Sequence, residues 1–545
     1  MPWFVSPYRR IATWHLNTDK ISVPAGNFAA KGEQSIPDNF ISQIPSIAFS
    51  VPDLDGQATL QLNAIDGGQQ LACIQSSVNN GKSFNVPGVS YVAAGMAAAA
   101  LAVSGLSALA GAGSAGAPTH APTFVDIMIW FQSMAMNGMM SVDYPPLVQQ
   151  FEKNFAFSCG FIPWDGMQRQ IDSFRNKTGG NLTENSVDFL KNATLVRESQ
   201  GSTNLTKRSF EHLENLILFA RDEINTSVNG TGNSTEEESK VMHTVKGIQA
   251  YVEELTIPNG NTFMTILLIF AIVIAAITVG ILLFKVILET WALFGTFPKR
   301  LTNFRKRYWW LLAKTITNLI LVMYGIWTLY CIYQFKRGDS WAAKLLAGIT
   351  LGIFTAIIAF FTWKIYSIAH RYKKLEGNTS GLYDDKDVWR KYNIFYENYK
   401  KSYWWLFIPI IVYMFLKGCI IAGADGHGLA QSAGQLIVES LLLILLLWSR
   451  PFSLKSSNWI NIVIQVVRVL SVVCILVFVE ELAVEQTTKT ITGLVLVVMQ
   501  SVLTGLLAIL IAVNAIIICC RDNPHRRKRK EAGKSTDDHF AKSSY

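Results

Sequence analysis

Phe263-Met-Thr-Ile-Leu-Leu-Ile-Phe-Ala-Ile-Val-Ile-Ala-Ala-Ile-Thr-Val-Gly-Ile-Leu-Leu-Phe284 contains neither a charge nor a proline. A helix needs about 20 mostly apolar residues to cross the hydrocarbon core of a bilayer, so this run reads as a membrane span. Immediately upstream, residues 176–235 hold the Asn-X-Ser/Thr sequons of Asn176, Asn181, Asn192, Asn204, Asn225, Asn229 and Asn233. A single sequon arises easily by chance, but seven in so short a Ser/Thr/Asn/Glu-rich stretch do not. Glycans are attached on the luminal face, so the segment is expected to face the ER lumen or the cell exterior.

Composition agrees with a membrane protein. Half the residues are apolar and 16% are charged, against roughly 25% charged in a soluble domain. Apolar runs suggest about nine spans, at 89–113, 124–142, 263–285, 309–335, 341–366, 403–423, 431–448, 459–479 and 491–520. The first is mostly Ala, Gly and Ser, which permits close helix packing. The expected fold is thus mainly α, a polytopic helix bundle with a small β domain ahead of it. The chain divides into 1–86 (β), 89–142 (first two spans), 143–262 (glycosylated segment), 263–520 (seven spans) and 521–545 (basic tail).

Charge supports this topology through the positive-inside rule. The loops after the third, fifth and ninth spans carry Lys299, Arg300, Arg305, Lys306 and Arg307, then Arg371 to Lys401, then Arg526, Arg527, Lys528, Arg529 and Lys530. The opposite loops carry only Lys336, Arg337 and Lys489. The N-terminus is therefore expected outside and the C-terminus in the cytosol. The net charge of +9 belongs to loops beside anionic lipid rather than to a nucleic-acid groove. Residues 1–17 lack a signal-peptide core, so either the first span inserts as a reversed anchor or the natural start lies upstream; the latter is favoured.

Short β-rich runs at 46–51, 58–63 and 69–75 alternate with turns. Cys73 either pairs with Cys159 or has a partner upstream. HExxH, P-loop, GxSxG and CxxC signatures are absent from the sequence, so no enzyme is expected, and no metal site. Asp385-Lys386-Asp387 reads as a helix start with Asp387 as N-cap. Asp425-Gly-His-Gly428 reads as a turn.

Ionisable residues at bilayer depth carry the functional reading, because such charges normally face a partner, a cavity or a pathway. Lys417, Glu439 and Arg468 lie on consecutive spans in the middle to outer half. They form either a structural ion cluster or a substrate cavity. Glu480, Glu481 and Glu485 occupy the last outer loop, where carboxylates either concentrate cations or merely solvate a turn. Gln500, Thr504 and Asn514 recur at roughly helical spacing on the ninth span, as helix-pairing groups or as the lining of a water path. Trp389, Tyr392, Tyr396, Tyr399 and Tyr403 suggest an amphipathic helix on the inner leaflet. Cys519 and Cys520 beside Arg526 to Lys530 suggest either acylation or plain packing.

Several ordered motifs carry a resemblance: Gly138-Met-Met-Ser-Val-Asp-Tyr-Pro-Pro146, Asn154-Phe-Ala-Phe-Ser-Cys-Gly160, Tyr324-Gly-Ile-Trp-Thr-Leu-Tyr330, Tyr333 to Ala343, Trp389 to Trp405 and Trp448-Ser-Arg-Pro-Phe452. From about residue 40 to 522 the chain resembles the fungal TRP-like family that includes flavin carrier proteins and polycystin-like relatives. The resemblance implies an ML-like, lipid-recognising β domain followed by nine spans, here with a truncated start. It implies transport of calcium or another cation, or of FAD into the ER lumen, with roles in calcium homeostasis and cell-wall maintenance. FAD would be a transported substrate, calcium a permeant ion, and neither a covalently held cofactor. The expected partners are membrane lipids, a lipid or sterol in the ML-like domain, and a second copy of the chain as an open alternative. The contrasting alternative is a lipid-binding scaffold or sensor without transport. Two features depart from the family pattern. Ser22-Val23-Pro24 stands where the family has Cys-Pro, and the loop between the last two spans is only about ten residues long.

Overall fold

The computed structural model describes residues 55–63, 70–79, 81–83, 87–110, 122–197, 241–294 and 308–520. Two strands, β1 (Asp55–Asn63) and β2 (Gln70–Asn79), pair antiparallel, Leu60 opposite Ile74. The expected strand at 46–51 lies outside the described residues. Helix α1 (Pro87–Ala110) follows, then the short α2 (Phe124–Asn137). A segment of small elements comes next: α3 (Pro146–Lys153), α4 (Asp165–Lys177), α5 (Val187–Asn192), β3 (Ala193–Arg197), β4 (Val241–Val245) and α6 (Gly247–Glu253). β3 and β4 are parallel.

The long helices are α7 (Thr262–Phe294), α8 (Tyr308–Arg337), α9 (Trp341–Glu376), α12 (Phe407–Gly423), α13 (Gly428–Ser449), α14 (Lys455–Leu476) and α15 (Gln486–Cys520). Between α9 and α12 lie α10 (Gly381–Asp384) and α11 (Lys386–Tyr396). Those seven long helices are, among the described residues, the ones long and apolar enough to cross a membrane, and α1 adds the shorter apolar stretch Gly88–Ser104. They alternate in direction, so the bundle has a sequon end, where α7 begins, and a basic end, where it finishes.

Local chemistry sets the boundaries. Ser340 caps α9 through a hydroxyl that accepts from the Ala343 N–H (3.3 Å). Pro409 sits in the first turn of α12, where no N–H is needed. α13 stops where Arg450 turns left-handed (φ 42°) and Pro451 cannot continue the helix. The Trp448–Phe452 stretch then docks back: the Lys400 N–H donates to the Pro451 carbonyl at 2.8 Å, and Asn458 exchanges two bonds with the Phe452 backbone.

The structure departs from three expectations and decides between the two readings of Cys159. The second span, 124–142, is the 14-residue α2 and then a turn through Gly138 and Asp143 to Pro145. At about 1.5 Å per residue it covers roughly 21 Å of a ~30 Å core. Ile127, Trp130, Phe131 and Met134 are all buried against neighbouring helices. Apolar content alone does not separate a buried short helix from a span. Cys159 is a free, buried thiol in the bundle core, which excludes a bridge to Cys73. Asp385, not Asp387, caps α11, accepting from the N–H groups of Asp387 and Val388, because its extended backbone leaves the carboxylate free to turn inward. The aromatic side of α11 is used within the protein: Phe395 and Tyr396 bury against Ile365, Ala369, Leu382 and Phe407 rather than lying on a leaflet.

Candidate functional site

α12, α13 and α14 bring three charged side chains to mid-bundle. Lys417 Nζ lies 2.6 Å from Glu439 Oε1. The Tyr413 hydroxyl donates to the same oxygen at 2.8 Å, and Gln465 Nε2 donates to Glu439 Oε2 at 2.7 Å. Glu439 is completely buried, and each carboxylate oxygen is therefore matched by a donor, as burial of a charge requires. Gln435 Nε2 donates to the Lys417 carbonyl at 3.0 Å, tying α13 to α12 on the same layer.

Arg468 is brought near but does not pair with Glu439. Its Nη2 donates to the Ile129 carbonyl of α2 at 3.0 Å, and its buried Nε finds no acceptor on the protein. Lys417 also reaches α2, donating to Ser133 Oγ at 3.2 Å. A cavity of about 30 Å³ opens between α2, α8, α12 and α14, with Lys417, Arg468, Tyr413, Ser133 and Gln132 on its wall.

The other candidates fall elsewhere. Glu480 and Glu481 lie on a 3-10 turn between α14 and α15, with Glu485 beyond; Glu481 and Glu485 are exposed. Gln500 Nε2 donates to Ser471 Oγ of α14 at 3.4 Å, and Thr504 Oγ1 accepts from Trp130 Nε1 of α2 at 3.0 Å. Asn514 is half-buried, further along the same helix toward the basic end. No cluster suited to a metal ion occurs among the described residues. Asn176, Asn181 and Asn192 are exposed at the sequon end. Asn204, Asn225, Asn229, Asn233 and Arg526 to Lys530 lie outside the described residues, as do the side chains of Cys519 and Cys520.

Sequence reasoning missed Tyr413, Gln435 and Gln465, although each stands three or four residues before a charged member and hence on its helical face. It also missed Arg175. That side chain is fully buried and binds Asp339 through two nitrogens, with further bonds to Asp172, Asn261 and the Asn185 carbonyl (2.9 Å). It fastens α4 to the short α8–α9 turn. Nothing in its own neighbourhood of sequence marks it out.

Seven long apolar helices with an ion cluster buried among them define an integral membrane protein. The transient receptor potential (TRP) ion channel family model matches residues 89–540, and an ML-like domain model matches residues 21–84. The chain belongs to the TRP ion channel family. It is 25% identical over 516 residues to the TRP-like ion channel protein flc1 of Cryptococcus neoformans, covering 88% of this chain and 64% of that protein. Flavin carrier protein 2 of Saccharomyces cerevisiae is 24% identical over 511 residues, covering 92% and 64%. TRP-like ion channel pkd2 of Schizosaccharomyces pombe is 22% identical over 519 residues, covering 92% and 68%. The chain thus spans about two-thirds of the length of these relatives. They are named as channels and carriers, not enzymes. No solved structure matches.

Proposed function

We propose that this chain conducts a cation, calcium foremost, across the ER or plasma membrane, and so serves calcium homeostasis and cell-wall maintenance. The observation that carries this reading is the position of α2. On one side it is bonded to Lys417 and Arg468, and on the other its Trp130 is bonded to Thr504 of α15. A rearrangement of the ion cluster is thereby transmitted to the α14–α15 seam. That seam carries Glu480, Glu481 and Glu485 at its sequon end, where carboxylates raise the local cation concentration. The cluster acts as the gate, not the path, because two cationic side chains on the cavity wall repel a permeant cation. The sequon end faces the lumen or exterior and the basic end the cytosol, supported by the sequons and the loop charges.

A second reading, a carrier for FAD, is favoured by that same cationic wall, which suits a phosphate-bearing anion, and by the relatives named flavin carriers. Electrical recording of the purified full chain in planar bilayers separates the two. Unitary calcium currents that rise in Trp130→Phe support the channel. Electrical silence with flavin flux supports the carrier. Silence in both assays, with sterol or phospholipid retained through purification, supports a lipid-binding scaffold and ends the transport reading.

A further inference from the structure

The wall of the mid-bundle cavity is electrostatically one-sided. Its charged side chains are Lys417 and Arg468, both cations, 5% and 7% exposed. Glu439 stands behind Lys417 and is saturated by Lys417, Tyr413 and Gln465. The other carboxylate whose charge reaches Arg468 is Asp126, but its Oδ2 accepts from the Thr123 N–H (2.8 Å) and hydroxyl (3.0 Å) in the cap of α2. Arg468 Nε is buried and meets no protein acceptor. A buried guanidinium N–H without an acceptor is costly, and a buried charge without a counter-charge more so.

We propose that this cavity binds a small monovalent anion of halide size between Lys417 and Arg468. Size limits the choice. About 30 Å³ is room for one or two waters or a single atomic anion. Water would satisfy Arg468 Nε but bring no negative charge to a wall whose own charged side chains are both cations; a halide does both. The anion locks the cluster in the arrangement described, because it adds a shared counter-ion for α12 and α14. The proposal rests on the preceding reading of this cluster as the functional centre, but its test needs no transport.

The purified full chain is melted in sodium gluconate, chloride, bromide and phosphate at equal ionic strength. Chloride and bromide should raise the Tm saturably, by on the order of a few degrees once the anion is about 100 times its Kd. Arg468→Gln should lose the rise and Arg468→Lys should keep most of it. Equal melting in all four salts, a rise undiminished in Arg468→Gln, or a rise with phosphate alone each overturns the proposal. Should Arg468→Gln not fold, bromide-soaked crystals of the unaltered protein decide: an anomalous peak beside Arg468 Nε is expected, and its absence rejects the site. Bromide binding by a chain that conducts nothing would defeat the transport reading and leave this one standing. A conducting chain blind to halide would do the reverse.

Discussion

At the scale of single residues, Glu439 matters most, because three donors from two other helices converge on it. Glu439→Gln leaves the Lys417 ammonium buried without its counter-charge. In soluble proteins such a loss costs about 3–5 kcal/mol, and bonds between membrane helices are usually weaker, so about 1–3 kcal/mol is expected. Pairing Glu439→Gln with Lys417→Met should recover much of the loss, while pairing it with Arg468→Gln should not, since only Lys417 lies in ion-pair reach. A double-mutant cycle on chemical unfolding checks this; equal coupling to both partners would contradict the geometry. Asp339 offers a pH-dependent test outside the spans. Burial raises its pKa, but the hydrogen bonds and charge of Arg175 and the Asn181 N–H lower it further, so the carboxyl sits below its usual range. Folding therefore favours the ionised form. That stability is complete above the unfolded value of about 3.9 and fades as pH falls through the lower folded value. Asp339→Asn should cost about 1–2 kcal/mol at pH 7, toward the low end for charged hydrogen bonds because the site is part-exposed. It should also remove that share of the acid-side decline, so melts at pH 7 and pH 3 should differ less than in the unaltered chain.

At the scale of elements, the α8–α12 crossing depends on two glycines. A Cβ at Gly418 would lie 2.6 Å from the Gly325 carbonyl oxygen and 2.9 Å from the Leu329 nitrogen, both backbone atoms that cannot turn aside. Gly418→Ala must push the helices apart, at about 1–3 kcal/mol for overpacking. Gly325→Ala, whose nearest neighbour would be the Met414 oxygen at 3.3 Å, should cost clearly less. Thermal melts that rank them the other way would refute the close crossing. Such small residues were visible in the sequence without their partners. The long spans were legible because 20-residue apolar runs have few other readings. Lys417 and Glu439 were legible because charge at that depth demands a neighbour. The length of α2 was not, because Trp130, Phe131, Met134 and Met136 would suit a lipid-facing span equally well. Nor was the burial of the α11 aromatics: an amphipathic face looks the same whether lipid or protein covers it.

For the whole molecule, the expected topology sets the sequon end in the lumen. Glycosidase should lower the apparent mass of the chain expressed in a fungal host, and Asn→Gln changes at all seven sequons should abolish that shift; an unshifted wild type would reverse the orientation. The Arg175 clamp escaped sequence reasoning for a reason that belongs to this scale. Its partner Asp339 is 164 residues away, and no local periodicity joins them. The same remoteness gives α2 a consequence for biosynthesis. Its polar contacts await Lys417, Arg468 and Thr504, which are 284, 339 and 374 residues downstream of their partners. At about 5–20 residues per second, a ribosome needs roughly 20–75 s to travel from Trp130 to Thr504. For most of that interval α2 is too short to hold itself across a bilayer, and Ser133 lacks the Lys417 ammonium that later binds it. The polar contacts of α2 are consequently completed only with the last long helix, and a chain that stops before α15 is made lacks the Thr504 acceptor of Trp130.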